Sequence, residues 1–232
     1  MNNLIEIKNI IKKYGDTKKN TILNKINYSF KRGKIYSLVG PSGSGKSTLL
    51  NLLSLIDKPS SGSIRICNYN IKFSDTKKND KIRAEKIGII YQENNLLADF
   101  SALENVYLSR LSVNNNKEKA IKDSKLVIKK LGLSNRVNHF PSELSGGELQ
   151  RISIARALIN SPEIILADEP TGSLDFKNAK SVFKTLFNLK KTNRLIVFAT
   201  HNRYFANMAD CKLELIGGKM KSTNARTNTK KF

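Results

Sequence analysis

The chain has 232 residues, 39% of them hydrophobic, so it is long enough to bury a core of its own. It carries 41 lysines and arginines against 19 aspartates and glutamates, a formal net charge of +22 that would ordinarily suggest nucleic-acid binding. The lysines are scattered in pairs without interleaved aromatic residues, so we expect a solvated basic surface, with attraction to anionic lipid headgroups as the main alternative.

No segment of the sequence is suited to crossing a membrane or directing secretion. The longest apolar runs, such as 195–199, are far shorter than the roughly 20 residues that span a bilayer. The N-terminus lacks the charged and apolar regions of a signal peptide. Cys67 and Cys211 have no metal-ligand spacing. We therefore expect a soluble chain in a reducing compartment, which needs a partner for any role at a membrane.

Apolar strand-like segments alternate with amphipathic helical patterns along the chain, which predicts an α/β fold. The predicted strands are 5–7, 35–39, 64–66, 87–91, 164–167, 195–199 and 213–216. The predicted helices are 46–56, 101–110, 117–131, 147–160, 177–190 and 203–209. Because no convincing strand occurs within 94–145, we expect a helical sub-domain there, inside a single domain over 1–220. The basic segment 221–232 is predicted to be a disordered tail.

A glycine-rich loop joins the first central strand to the helix that begins at Lys46. It matches the pattern G-x-x-x-x-G-K-[ST] in its required strand and helix context. Its glycines let backbone N–H groups face an anion, and the helix N-terminus adds partial positive charge. We expect Lys46 to pair with the β- and γ-phosphates of ATP and the Ser47 hydroxyl to bind Mg²⁺. The predicted ATP-binding residues of this loop are Gly40, Pro41, Ser42, Gly43, Ser44, Gly45, Lys46, Ser47 and Thr48.

A second glycine-rich helix start occurs about a hundred residues later, at Ser145, Gly146, Gly147 and Glu148. Taken alone, Ser-Gly-Gly before a helix is more often a simple N-cap turn. Two helix starts able to present N–H groups to an anion in one short chain favour a functional interpretation of both.

Two adjacent carboxylates end the predicted strand 164–167, where α/β sheets bind their ligands. A strand-end Asp-Glu-Pro is usually only a turn, but in a chain with a P-loop it favours catalysis. Asp168 is suited to hold Mg²⁺, and Glu169 is suited to act as the base that orients and activates water.

In their order along the chain, these segments resemble the motifs of the ATP-binding cassette (ABC) family, over residues 4 to about 220. The resemblance implies a P-loop NTPase fold of the ABC ATPase type, with a mixed-sheet core, an N-terminal antiparallel β part and an inserted helical sub-domain. Residues 40–48 resemble its Walker A motif, 144–148 its signature motif and 168–169 its Walker B motif. Residues 173–175, which end in Asp175, resemble its D-loop.

Three positions gain a role only through this resemblance. Tyr14 resembles the aromatic residue that stacks on adenine. Gln92 resembles the glutamine that contacts Mg²⁺ and the attacking water. His201 resembles the histidine that contacts the γ-phosphate.

The family also implies a second copy of the chain as a partner. Its cassettes stack head to tail, so that each ATP lies between the Walker A loop of one copy and the signature of the other. Because this chain has one of each, we expect it to dimerise, with its signature residues acting on the ATP of its neighbour.

Within the family, residues 91–106, 138–145 and 166–175 are similar to the ATPase subunits of bacterial lipoprotein-releasing (Lol) systems. That similarity implies a peripheral protein on the cytoplasmic face of the inner membrane, bound to integral membrane permease subunits. In such proteins the segment after Gln92 faces the permease, so the apolar cluster Leu96, Leu97 and Phe100 is either a docking surface or part of the sub-domain core.

Two departures weaken this subfamily assignment, because Leu149 replaces a commoner polar residue and Ser173 replaces asparagine. The alternatives within the family are macrolide or peptide export and control of cell division. A soluble ABC protein acting on nucleic acid is disfavoured, because the chain has neither a second cassette nor a coiled-coil insertion.

Overall fold

The computed structural model describes residues 3–15 and 20–224, and the statements below refer to these ranges. The strands are β1 Asn3–Tyr14, β2 Asn20–Lys31, β3 Ile35–Val39, β4 Ser61–Ile66, β5 Tyr69–Asn70, β6 Ile87–Ile90, β7 Ile164–Asp168, β8 Leu195–Ala199, β9 Cys211–Ile216 and β10 Lys219–Asn224. The α-helices are α1 Lys46–Leu53, α2 Thr76–Lys86, α3 Ala102–Leu111, α4 Lys117–Lys130, α5 Gly146–Leu158, α6 Phe176–Leu189 and α7 Arg203–Ala206.

The strands form two sheets. A four-stranded antiparallel sheet has the order β2-β1-β4-β5. A six-stranded sheet has the order β10-β9-β3-β8-β7-β6, in which only the β10-β9 pair is antiparallel. The expected mixed core with an N-terminal antiparallel part is therefore confirmed.

Helix α1 supplies the centre of the largest hydrophobic cluster. Leu49, Leu50, Leu52 and Leu53 are all buried there, among side chains from both sheets. A second cluster joins α5 and α6 to β7 and β8, and a third joins α3, α4 and α5. Helices thus pack against the six-stranded sheet, and the loops at its carboxyl edge are left to form a site.

Between β6 and β7 the chain forms α3, α4, two short 3₁₀ turns at Ser134–Arg136 and Pro141–Glu143, and then α5. Residues 94–145, where a helical sub-domain is predicted, contain no strand. Ser101 caps the N-terminus of α3 and Asn116 that of α4, and the side chain of each accepts a backbone N–H of the first turn.

The predicted tail begins too early, because residues 221–224 complete β10 and pair with β9. The hairpin turn at Gly217 and Gly218 supplies the reversal that makes this pairing possible, and both glycines have positive φ. The remainder of the predicted tail, 225–232, lies outside the described residues. Within the described part of the chain, no helix is long and apolar enough to cross a membrane.

Candidate active site

The loop between β3 and α1 is shaped by glycines in backbone conformations that other residues rarely adopt. Gly40 has φ 155°, and a Cβ at this position would lie 2.3 Å from the carbonyl oxygen of Leu215. Gly45 caps α1 in the left-handed region with φ 98°. As at any helix start, the first-turn N–H groups of α1 have no acceptor inside the helix. The loop therefore presents backbone donors and the positive end of a helix to an anion.

Lys46 folds back over this loop. Its Nζ donates to the carbonyl oxygens of Gly40, at 2.9 Å, and Pro41, at 3.0 Å. The ammonium therefore lies above the cradle that the loop forms, where a bound phosphate would offer it a charged acceptor in place of two neutral ones. Ser47, the next residue of α1, is exposed.

Two catalytic candidates meet where β7 and β8 end. These strands are parallel neighbours, so Glu169, which follows β7, and His201, which follows β8, emerge at the same edge of the sheet. Nδ1 of His201 lies 3.1 Å from Oε2 of Glu169. The histidine side chain is 73% exposed and the glutamate side chain 13%, so the pair has one buried and one open member.

Asp168 carries a buried carboxylate oxygen, Oδ1, that has no hydrogen-bond partner among the described residues. A buried carboxylate normally needs a donor or a cation. Mg²⁺ is usually held by one or two carboxylates together with phosphate oxygens. The donor set of Asp168 and the Ser47 hydroxyl fits such an ion.

Gln92 reaches the same edge from the neighbouring strand. It follows β6, which pairs with β7, and its Nε2 lies 3.5 Å from the position that a Cβ on Gly172 would occupy. The side chain is therefore beside the turn that follows Glu169, whose carbonyl oxygen accepts the N–H of Gly172 at 3.0 Å.

The second glycine-rich helix start is a complete capping box. The Ser145 side chain accepts the N–H of Glu148, and Glu148 Oε2 accepts the N–H and the hydroxyl of Ser145, each at 2.9 Å. Arg136 donates to the other carboxylate oxygen at 2.8 Å. Arg136 and Ser145 together lower the pKa of Glu148 to about 2.

This signature turn packs on the segment predicted to be the D-loop. A Cβ on Gly147 would lie 3.1 Å from Oδ1 of Asn178. Asp175 caps α6 by accepting the N–H groups of residues 177 and 178, and it also accepts from the Asn178 amide at 2.5 Å. The signature turn and the predicted D-loop are therefore neighbours in the structure.

Within residues 3–15 and 20–224, no hydrogen bond or ion pair joins the loop 40–48 to the turn 144–148. The Walker-like residues lie at one edge of the sheet, together with Gln92, Glu169 and His201. The signature-like residues are instead exposed at Ser145 and Gly146, beside the start of α6.

Several residues that shape this region are not among those predicted from the sequence. Lys12 and Asp57 contact Tyr14, and Arg136 pairs with Glu148. Buried Asn105 holds the loop before α3 through the N–H and C=O groups of Leu97. A polar residue on the buried side of a predicted helix could have identified Asn105. The other partners depend on tertiary contacts that sequence spacing does not reveal.

Comparison with known proteins agrees with this geometry. Residues 23–172 match the family described as ABC transporter. The chain is 42% identical over 211 residues to the lipoprotein-releasing system ATP-binding protein LolD of Rickettsia bellii, which covers 90% of this chain and 93% of the relative. It is 44% identical over 230 residues to LolD of Wigglesworthia glossinidia brevipalpis, covering 97% and 100%.

A solved structure of the ATP-binding cassette MJ0796, described as a dimeric post-hydrolysis state bound to ADP and Pi, superposes with a TM-score of 0.89. It is 35% identical in sequence, and the match covers 96% of this chain and 99% of that one. With the family match and the relatives' identity over most of their length, the chain belongs to the ABC transporter family and is one of its ATPases.

Proposed function

We propose that this chain is the ATP-hydrolysing subunit of a bacterial ABC transporter that releases lipoproteins from the inner membrane toward the outer membrane. The observation that carries this proposal is the 39% to 44% identity to lipoprotein-releasing ATP-binding proteins over nine-tenths or more of this chain. The absence of a spanning helix from the described residues agrees with a peripheral subunit that works through membrane partners.

Hydrolysis is assigned to the residues at the carboxyl edge of the sheet. Lys46 and the first-turn N–H groups of α1 hold the β- and γ-phosphates. Ser47, Asp168 and Gln92 would hold Mg²⁺, which would supply positive charge to the phosphates. Glu169 accepts a proton from the water that attacks the γ-phosphorus, and the bond to the β-γ bridging oxygen breaks to leave ADP.

His201 is suited to orient this reaction, because its ring lies 3.1 Å from the base and is itself open to solvent. One nitrogen can contact the Glu169 carboxylate while the other faces the γ-phosphate. This contact would hold both side chains in one arrangement before ATP arrives, which lowers the cost of organising the site.

A second copy completes each site. The exposed signature residues Ser145 and Gly146, with Gly147 and Glu148, would close on the ATP held by the neighbouring copy. The separation of the two motifs within one chain supports this assignment. ATP then favours the closed dimer, and hydrolysis removes that preference.

We assign the permease-docking surface to a groove of about 1110 Å³ between α2, β6 and α3. Leu97 lines this groove and is 50% exposed, whereas Leu96 packs into the third hydrophobic cluster. The predicted apolar cluster is thus divided between core and surface. Leu97 suits the apolar side of a cytoplasmic segment of the permease, and Lys81 and Asp80, which also line the groove, suit its polar side.

The substitution Glu169→Gln tests the assignment of the base. Turnover should fall by about 10²- to 10⁴-fold, because the amide cannot accept the proton of the attacking water. ATP binding should persist, and ATP should trap a dimer visible by size-exclusion chromatography.

Glu118→Gln, on the exposed first turn of α4, is the matched control and should behave as wild type. Unchanged turnover in Glu169→Gln would refute the assignment of the base. Loss of ATP binding in Glu169→Gln would show that Glu169 also holds the nucleotide, contrary to the assignment.

The cargo is tested with the membrane subunits that co-purify with this chain. Reconstituted in vesicles with a labelled lipoprotein, the complex should release that lipoprotein to a soluble acceptor only with ATP, and not with Glu169→Gln. If the co-purified complex instead moves a macrolide or peptide, or only activates cell-wall hydrolysis, the lipoprotein assignment is wrong while the ATPase assignment stands.

A further inference from the structure

The phenol ring of Tyr14 has a buried cation against one of its faces. Lys12 and Tyr14 are two residues apart on β1, so their side chains lie on the same side of the strand. The Lys12 Nζ lies 4.5 Å from the centroid of the Tyr14 ring. Lys12 is 7% exposed, whereas Tyr14 is 46% exposed. The Lys12 ammonium therefore covers one face of the Tyr14 ring, and much of the rest of the side chain is exposed to solvent.

Asp57 fixes the lysine and the tyrosine together. Its Oδ1 accepts from Lys12 Nζ at 2.7 Å, and its Oδ2 accepts from the Tyr14 hydroxyl at 2.7 Å. Lys12 also donates to the carbonyl oxygen of Lys58 at 2.9 Å. Both oxygens of the Asp57 carboxylate accept hydrogen bonds, so the orientation and the position of the Tyr14 ring are fixed by Asp57 together with Lys12.

This arrangement adjoins the nucleotide loop. The Tyr14 hydroxyl also interacts with the side chain of Thr48, which lies in the first turn of α1. A ring tied to the segment after α1 and to α1 itself keeps a constant position relative to the phosphate cradle at 40–47.

We propose that Lys12 and Asp57 are positioning residues for the nucleobase: Lys12 backs the Tyr14 ring, and Asp57 locks it, so that the base stacks on the opposite face. This inference rests on the proposed function, in which the loop 40–48 holds the phosphates and Tyr14 contacts adenine. Neither Lys12 nor Asp57 touches the ligand.

Two physical effects give this arrangement its value. A ring that is already held loses little freedom when a base stacks on it, so less of the stacking free energy is spent on ordering. A cation on one face draws electron density toward itself and favours an electron-rich base on the other face. Both effects act on the base and leave the phosphates untouched.

The test is the substitution Lys12→Met, which keeps an unbranched apolar side chain and removes the charge. Affinities for ATP and for inorganic tripolyphosphate are measured by calorimetry on the full chain, with folding checked by circular dichroism. We expect the affinity for ATP to fall by about 5- to 10-fold and the affinity for tripolyphosphate to stay within about 2-fold. Lys13→Met, at the exposed neighbouring position on β1, is the matched control and should change neither.

A double-mutant cycle separates positioning from a merely structural role. Tyr14→Leu should lose at least as much ATP affinity as Lys12→Met, and the double variant should lose no more than Tyr14→Leu, since Lys12 acts through the ring. If Lys12→Met does not fold, Asp57→Asn replaces it, because that change preserves shape while weakening both hydrogen bonds. The same selective loss is expected.

Additive losses in the cycle would overturn the proposal. So would equal losses for ATP and tripolyphosphate, or no loss for either ligand in both variants. If Tyr14→Leu itself binds ATP as wild type does, the error lies in the assignment of Tyr14 to adenine. If the wild-type chain binds neither ligand, the proposed ATP site fails.

Discussion

Glu169 occupies a backbone conformation that few non-glycine residues adopt. Its φ is 43°, in the left-handed region. Its N–H donates to the carbonyl oxygen of Ala199 at 3.1 Å, and its own carbonyl oxygen accepts from Gly172. Such strain persists only where surrounding bonds enforce it, and it is common at active sites. Here it turns the carboxylate toward His201.

Glu148 is the residue for which the structure makes a pH-dependent prediction. Its pKa is held at about 2, below the ordinary value near 4.3, so its ionised form stabilises the folded chain above about pH 4.5. That contribution must disappear as the pH falls toward 2. Glu148→Gln should therefore lower the free energy of unfolding by about 1–2 kcal/mol at pH 7, with the difference from wild type shrinking below pH 4.5.

Urea unfolding at a series of pH values measures this difference. Glu104→Gln is the matched control, since Glu104 forms the same capping box with Ser101 at the start of α3, while none of the described arginines pairs with its carboxylate. Its pH-dependent difference should be smaller. An equal difference in the two variants, or one that does not change from pH 7 to pH 3, would contradict the role given to Arg136.

At the scale of elements, the loop between β6 and α3 connects the proposed permease groove to the candidate catalytic residues at the sheet edge. Asn105 holds Leu97 and Phe100 through backbone hydrogen bonds of 2.7 to 3.1 Å. Arg156 donates to the carbonyl oxygens of Asn94 and Asn95. Gln92 lies at the start of the same segment. The loop between the proposed groove and Gln92 is therefore anchored on both α3 and α5.

Leu97→Asp tests this surface. A charge at a half-exposed apolar position should weaken co-purification of the permease by about 10-fold or more, because the carboxylate must be desolvated at the interface. ATP binding by the isolated chain should not change. Leu126→Asp, at a leucine of similar exposure on α4 outside the groove, is the matched control. Full recovery of the permease with Leu97→Asp would place the docking surface elsewhere.

The elements that sequence predicts well are those with buried cores. β3 and β8 have the predicted bounds, since each is a short, mainly apolar segment that is almost entirely buried. The loop 40–47 comes directly after β3, and the carboxylates 168–169 stand at the end of β7. Most residues of the candidate site can therefore be located from these strands in the sequence.

The elements that sequence misses are polar ones. Helix α2 has the sequence TKKNDKIRAEK, with only Asn79 and Ile82 buried, so it shows no amphipathic period. Strand β2 carries lysine and asparagine among its apolar residues, and the bulges in its pairing with β1 interrupt the alternation that marks a strand. Their formation depends on tertiary pairing, and so do the contacts of Lys12 and Asp57.

At the scale of the whole molecule, the proposed division of the site between two copies has an electrostatic consequence. Each copy carries a net charge of +22, so two copies repel at low ionic strength. Triphosphates buried between them supply negative charge, and salt screens the remainder over a Debye length of about 8 Å at 0.15 M. Dimer closure should therefore be studied near physiological ionic strength.

The most direct test of a divided site is the dependence of ATP turnover on chain concentration. Turnover per chain and ATP occupancy are measured on the same samples, with the oligomeric state followed by sedimentation. We expect occupancy to be independent of chain concentration, while turnover per chain rises with it and falls toward zero where only monomers remain. Turnover per chain that stays constant into the monomeric range would contradict a site completed by the signature turn of a second copy.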